Sequence, residues 1–191
     1  MSRSADISPQ AAAEIAAWGN TEVCAHHAGG PFLRGEAPGP PPDLADWERP
    51  IFDQVSRRLP ATPPAPVRID RELGDGDELV FGGGAVTVGL PGHTPGSTGF
   101  YLPGPRLLLA GDTAARSPSG QVMPGVFNTD RTQAAASFRR LAGLDTDIAG
   151  FGHGEPVSRD AAAHLQAAAR AGASDTECSS RFCFALRTAR G

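Results

Sequence analysis

Between Val67 and Ala110 the chain breaks into five short apolar segments separated by turn residues, a pattern that can bury its side chains only as a sheet of hairpins. The segments are Val67 to Ile69, Glu78 to Phe81, Ala85 to Leu90, Ser97 to Leu102 and Arg106 to Ala110. Gly82-Gly83-Gly84 supplies positive φ angles for one reversal, and Pro103-Gly104-Pro105 forces another. The 24 glycines and 18 prolines that make such turns exceed the ordinary share of about 12 %.

Helical patterns flank this run. Ser8-Pro9 before AAAEIAAW predicts a helix start, with Ser as cap and Pro in the first turn, and Gly19-Asn20 predicts its end. Thr21 to Ala25 reads as a strand with His26-His27 just beyond it. The Pro-rich stretch Glu36 to Pro66 reads as a surface insertion holding a short helix from about Asp43 to Arg58, with Leu44, Trp47, Ile51, Phe52 and Val55 at helical spacing. A helix from about Asp130 to Leu141 carries the stripe Ala134, Phe138 and Leu141, with Asn128 or Thr129 as its cap. Asp147 to Phe151 reads as a strand and Arg159 to Ala171 as an Ala-rich helix. Helices flanking antiparallel hairpins indicate the α+β class. The 191 residues suit one domain, taken as 1–172, with 173–191 as a disordered tail.

Composition narrows the function classes. A net charge of −4 without a basic run offers no footprint for nucleic acid. The longest aliphatic run, Leu107 to Ala110, cannot span a bilayer, and Met1 to Ile7 has no secretory apolar stretch, so a cytoplasmic protein without membrane contact is expected. Three cysteines without CxxC spacing speak against a zinc knuckle or a disulfide framework. The partner left is a small-molecule substrate.

Three segments carry the chemistry. In Leu90-Pro91-Gly92-His93, Leu109-Ala110-Gly111-Asp112 and Phe151-Gly152-His153 an apolar strand runs out, a Gly turns the backbone, and a metal-binding side chain follows. Strand ends are rigid, and a transition metal needs ligands held to fractions of an ångström. Imidazole and carboxylate suit zinc, and a carboxylate can bridge two ions. Singly, each signal is weak: a His after a strand is more often a hydrogen-bonded structural residue, and an Asp before Thr commonly caps a turn. His26-His27 point to opposite faces if extended, so at most one could reach a shared site. His164 reads as a helix-surface residue, and Glu155 as a partner for the His153 ring or an exposed acid.

Taken together and in this order, GDGDELVFGGGAVTVGLPGHTPGSTGFYL, RLLLAGDTA and FGHGEP resemble the metallo-β-lactamase superfamily of metallo-hydrolases, including its glyoxalase II-like branch, over about Ser8 to Val157. The resemblance implies an αββα sandwich with a metal site at one edge of two sheets. It implies that His93 binds the first metal, Asp112 bridges both and serves catalysis, and His153 binds the second. The implied cofactor is two zinc ions, with iron or manganese as alternatives, and the implied reaction is attack of a metal-bound hydroxide on a small ester, thioester, lactone or lactam. Thr94, Ser97 and Thr98 would support the first ligand or act as plain turn residues.

The chain departs from the family at one place. The His-x-His-x-Asp-His motif would stand directly before the first helix, where Ser2-Arg3-Ser4-Ala5-Asp6-Ile7 contains no histidine, although Asp6 lies near the motif's Asp. The fold is therefore expected to be incomplete on its N-terminal side, through a truncated front or through decay of the motif. Decay would make the chain a non-catalytic remnant or pseudoenzyme acting as a binding module. Either route predicts weakened metal affinity.

Overall fold

The computed structural model describes residues 12–59 and 65–174. Residues 1–11, where the resemblance places the His-rich motif, and 175–191, most of the expected tail, lie outside the described residues. A first helix, α1 (residues 12–17), ends as expected at Gly19 and Asn20, whose φ angles are +81° and +26°. Strand β1 (Cys24–His26) follows, then a short helix α2 (Gly30–Leu33), α3 (Arg49–Ser56), β2 (Arg71–Leu73), β3 (Glu78–Leu79), β4 (Ala85–Gly89), β5 (Thr98–Leu102) and β6 (Leu107–Leu109). The chain continues through β7 (Ala114–Arg116), β8 (Val122–Pro124), α4 (Arg131–Ala142), β9 (Ile148–Gly150) and α5 (Ala161–Ser174).

The central sheet has the order β3-β4-β5-β6-β9. The first four strands are antiparallel, with Val86 opposite Tyr101 and Tyr101 opposite Leu108, as the hairpin pattern predicts. β9 instead lies parallel to β6, because the chain returns to the sheet through α4, and a parallel return needs such a crossover. The class is α+β.

One face of this sheet is the core. Val88, Leu90, Leu108 and Ala149 meet Phe138 and Leu141 of α4 and Ala161 and Leu165 of α5, all buried. At about 25 cal/mol per Å² of apolar area removed from water, each of these large side chains contributes roughly 1.5 to 3 kcal/mol before entropy is counted. The opposite face is covered over β4, where Thr87 Oγ1 donates to the Gly74 and Asp77 carbonyls, and is more open over β6, where Leu109 is 39 % exposed.

Several expectations need correction. Val67 to Ile69 is not a strand; pairing shifts to β2, and just before it Asp70 accepts from the Val23 amide that precedes β1. His26 ends β1 rather than following it. The insertion helix is shorter than Asp43 to Arg58, with Pro50 in its first turn. The cap of α4 is Asp130, not Asn128 or Thr129: its extended backbone lets its carboxylate accept from the Gln133 amide at 2.8 Å. Hairpin β7–β8 and strand β2 were not expected.

Candidate metal centre

Each expected ligand stands where its strand ends, and the backbone explains how. After β4, Gly92 adopts φ +131° in a space where a Cβ would collide with Ala134 of α4, so only glycine can deliver His93 there. After β6, Asp112 sits in a single 3-10 turn, Gly111–Thr113. After β9, Gly152 donates its amide to the Gly111 carbonyl at 2.9 Å, and His153 then bridges to Ala115 on β7. Adjacent strands β6 and β9 thus bring Asp112 and His153 together, and the loop after β4 adds His93.

The three side chains converge around one carboxylate. His93 Nε2 lies 3.7 Å from Asp112 Oδ2, and His153 Nε2 lies 3.7 Å from Asp112 Oδ1. Both separations exceed hydrogen-bond length. Two ligands held about 2.0 to 2.2 Å from a tetrahedral zinc ion stand roughly 3.4 Å apart, close to what is seen. Asp112 Oδ1 is buried and has no hydrogen-bond partner among the described residues, an arrangement that costs about 1 to 3 kcal/mol if nothing compensates it. The space beside it exists because residue 152 is glycine: a Cβ there would overlap Oδ1. An orphaned carboxylate oxygen, a glycine cradle and two imidazole nitrogens fit a bridging cation site of the zinc, iron or manganese kind. Each oxygen faces a different ring, and among the described residues no group of three or more His, Cys, Asp or Glu converges on one ion position. Among the described residues, the donors at this carboxylate are two imidazole nitrogens, one facing each oxygen.

The neighbouring polar residues sort themselves. His93 Nδ1 is 3.1 Å from the Val126 carbonyl oxygen, which can only accept, so in the neutral ring the proton is on Nδ1 and the Nε2 lone pair is free. Thr94 and Ser97 close their own turn, the Thr94 amide donating to Ser97 Oγ at 2.9 Å, and Thr98 Oγ1 donates to the Gly96 carbonyl. These bonds lie within the loop that carries His93. Glu155 is exposed and makes no bond to His153. His26 Nδ1 accepts from the Ala28 amide, and His27 Nδ1 lies 3.2 Å from the Leu73 carbonyl, with the two rings 4.2 Å apart, so both are structural. Burial, and next to it the His27 ring, hold the His26 pKa below the usual histidine value. His164 is exposed on α5.

A sequence profile described as "Metallo-beta-lactamase superfamily" matches residues 11–153, three quarters of the chain. The chain belongs to the metallo-β-lactamase superfamily. Hydroxyacylglutathione hydrolase of Brucella anthropi is 37 % identical to it over 87 residues, 44 % of this chain and 32 % of that protein. The chain therefore spans about a third of the length of the curated relatives it matches. Among solved structures, the archaeal superfamily protein ST1585 of Sulfolobus tokodaii superposes with a TM-score of 0.60 at 18 % identity, covering 87 % of this chain and 64 % of that one. TTHA1623, solved in a di-iron-bound form, superposes with a TM-score of 0.52 at 28 % identity, covering 77 % and 64 % respectively. The family's metallo-β-lactamase fold is the fold of this chain. No helix among the described residues is long and apolar enough to cross a membrane.

Proposed function

We propose that this superfamily member is a metallo-hydrolase whose metal site is built on His93, Asp112 and His153 and whose substrate is a small acyl compound, a thioester before an ester, lactone or lactam. The observation that carries the reading is the Asp112 carboxylate, with an imidazole Nε2 at 3.7 Å from each oxygen and with Oδ1 otherwise orphaned. The thioester preference rests on the likeness to hydroxyacylglutathione hydrolases.

His93 and one oxygen of Asp112 would hold one ion, and His153 with the other oxygen a second; zinc is the first choice and iron or manganese the alternatives. When bound, the ions supply Lewis-acid polarisation of a carbonyl and acidification of water. The protein's own part is to hold the Asp112 side chain between the two rings, keep the His93 proton on Nδ1, and leave the His153 side open to solvent at 47 % exposure of its side chain. A substrate reaches the site from that side.

A second reading, a binding module without turnover, is favoured by the thin donor set among the described residues: two protein ligands per proposed ion are fewer than the three of a catalytic zinc. The full chain, purified and supplied with zinc, manganese or ferrous ion, is assayed on a glutathione thioester and a lactam panel. Metal-dependent thioester turnover abolished by Asp112→Asn supports the hydrolase. Metal content with no turnover on any substrate supports the binding module, and neither metal nor turnover overturns the site assignment.

A further inference from the structure

Glu48 is a carboxylate at 3 % exposure, far in sequence from His93, Asp112 and His153 and outside the three segments that carry them. Burying a charge is costly unless hydrogen bonds compensate it, and both of its oxygens are engaged. Oε2 accepts from the Ala45 amide at 2.8 Å, closing the turn that leads into α3. Oε1 accepts from the Phe127 amide at 2.9 Å, a partner 79 residues away. The same two segments meet twice more: the Asp43 amide donates to the Asn128 carbonyl at 2.7 Å, and the Phe52 ring packs edge-on against Phe127 with centroids 5.3 Å apart. Phe127 holds φ +58°, a left-handed conformation unfavourable to a bulky side chain, so these contacts must fix it.

The Phe127 amide and the Val126 carbonyl are the two ends of one peptide group. A trans peptide is planar, and its N–H and C=O point in opposite directions. Glu48 therefore grips one end of the plane whose other end receives the proton of His93 Nδ1 at 3.1 Å.

We propose that Glu48 is a positioning residue for His93, acting through the Val126–Phe127 peptide. The carboxylate does two things there. It stops the plane from rotating, which keeps the Val126 oxygen aimed at Nδ1. Its charge also polarises the peptide, because hydrogen bonds in a chain strengthen one another, and so makes the Val126 oxygen a better acceptor. Both effects favour the tautomer whose Nε2 lone pair faces Asp112. The Pro-rich insertion is thereby a support for the site as well as a surface feature. The effect on metal affinity rests on the reading of His93 as a ligand, whereas the effect on the tautomer does not.

The test is the His93 tautomer in the metal-free full chain, read at pH 8 from long-range ¹H–¹⁵N couplings of the imidazole ring. In the wild type His93 is expected in the Nδ1–H form. Glu48→Gln keeps the shape but has a single acceptor oxygen for two amides, and Glu48→Ala has none; both are expected to move His93 toward a mixture of tautomers while His153 is unchanged. Leu165→Ala, which opens the core away from this relay, is the control for destabilisation alone and is expected to leave the tautomer as it is. A zinc titration of Glu48→Gln is expected to show about 10- to 100-fold weaker binding, the loss typical when a ligand's outer partner is removed. If Glu48→Ala does not fold, Glu48→Gln decides alone. A wild-type His93 without the Nδ1 proton, or a folded Glu48→Gln chain with a wild-type tautomer, overturns the proposal. An altered tautomer with unchanged zinc binding upholds the relay and instead removes His93 from the ligand set.

Discussion

His93 and His153 face the same carboxylate at the same distance, yet the protein treats them differently. His93 is 20 % exposed, its Nδ1 is bonded to Val126, and its own carbonyl accepts from the Thr129 amide at the start of α4. The His153 side chain is 47 % exposed and faces Asp112 Oδ1, and the residue is held through its backbone by the bond from the Arg116 amide to its carbonyl at 3.0 Å. One half of the site is organised before anything binds. The other half has a fixed backbone and, among the described residues, a more exposed ring with no ring-nitrogen hydrogen bond.

That contrast can be broken by steric means first. Gly152→Ala would push a methyl group into Asp112 Oδ1, on the His153 side, while leaving the His93 bonds in place. Overpacking of this kind costs about 1 to 3 kcal/mol, and the expected result in chemical denaturation is a loss near the upper end, with the His93 tautomer retained. A variant as stable as the wild type would mean that Asp112 does not occupy the space beside Gly152. Removing the rings one at a time is the next test. His93→Ala strips the Val126 carbonyl of its donor and should cost about 1 to 2 kcal/mol, whereas His153→Ala, at a more exposed position, should stay within about 0.5 kcal/mol. Equal losses from the two variants would erase the distinction.

The smallest effect concerns the support of the His93 loop. Arg140 of α4 donates to the Gly89 carbonyl at the end of β4 and pairs with Asp75, whose carboxylate also accepts from the Gly89 amide. The Arg140 guanidinium, and next to it the Gly89 amide, hold the Asp75 carboxyl below the usual aspartate range. A depressed folded-state pKa stabilises above the unfolded value, near 3.9, and is lost as pH falls through the folded value. Both side chains are about half exposed, so solvent screening limits the gain to less than about 1 kcal/mol. Asp75→Asn should therefore be slightly less stable than the wild type in urea at pH 7 and indistinguishable from it near pH 2. A difference that persists undiminished at pH 2 would exclude the ion pair as its cause.

Much of the scaffold was legible because its side chains alternate or recur at helical spacing. Ala85 to Leu90, Ser97 to Leu102 and Arg106 to Ala110 gave β4, β5 and β6 to within a residue or two, and the stripe Ala134, Phe138 and Leu141 does face the core. Hairpin β7–β8 escaped because Ala114-Ala115-Arg116 has neither β-branched residues nor alternation; β7 pairs with Val122–Pro124, and its Arg116 and Ala115 also find backbone partners in the His153 segment. The parallel entry of β9 is a property of the crossover and leaves no mark in Ile148-Ala149-Gly150. At the candidate site, the three segments in which a strand, a Gly and then His93, Asp112 or His153 follow one another were readable because each is local. Glu48 was not, because nothing near it in sequence announces a partner at Phe127, and an acid before a helix is usually solvated.

The central claim is that Asp112 serves both halves at once. Zinc titration of the metal-free chain by calorimetry, beside Asp112→Asn, tests it most directly. If the proposed site holds, with one imidazole and one carboxylate oxygen per ion among the described residues, the wild type is expected to bind zinc well short of nanomolar affinity, and Asp112→Asn to lose that binding by at least about 100-fold because the proposed ions would share the carboxylate. Nanomolar uptake of two zinc ions by the wild type, or binding by Asp112→Asn equal to the wild type, would contradict it.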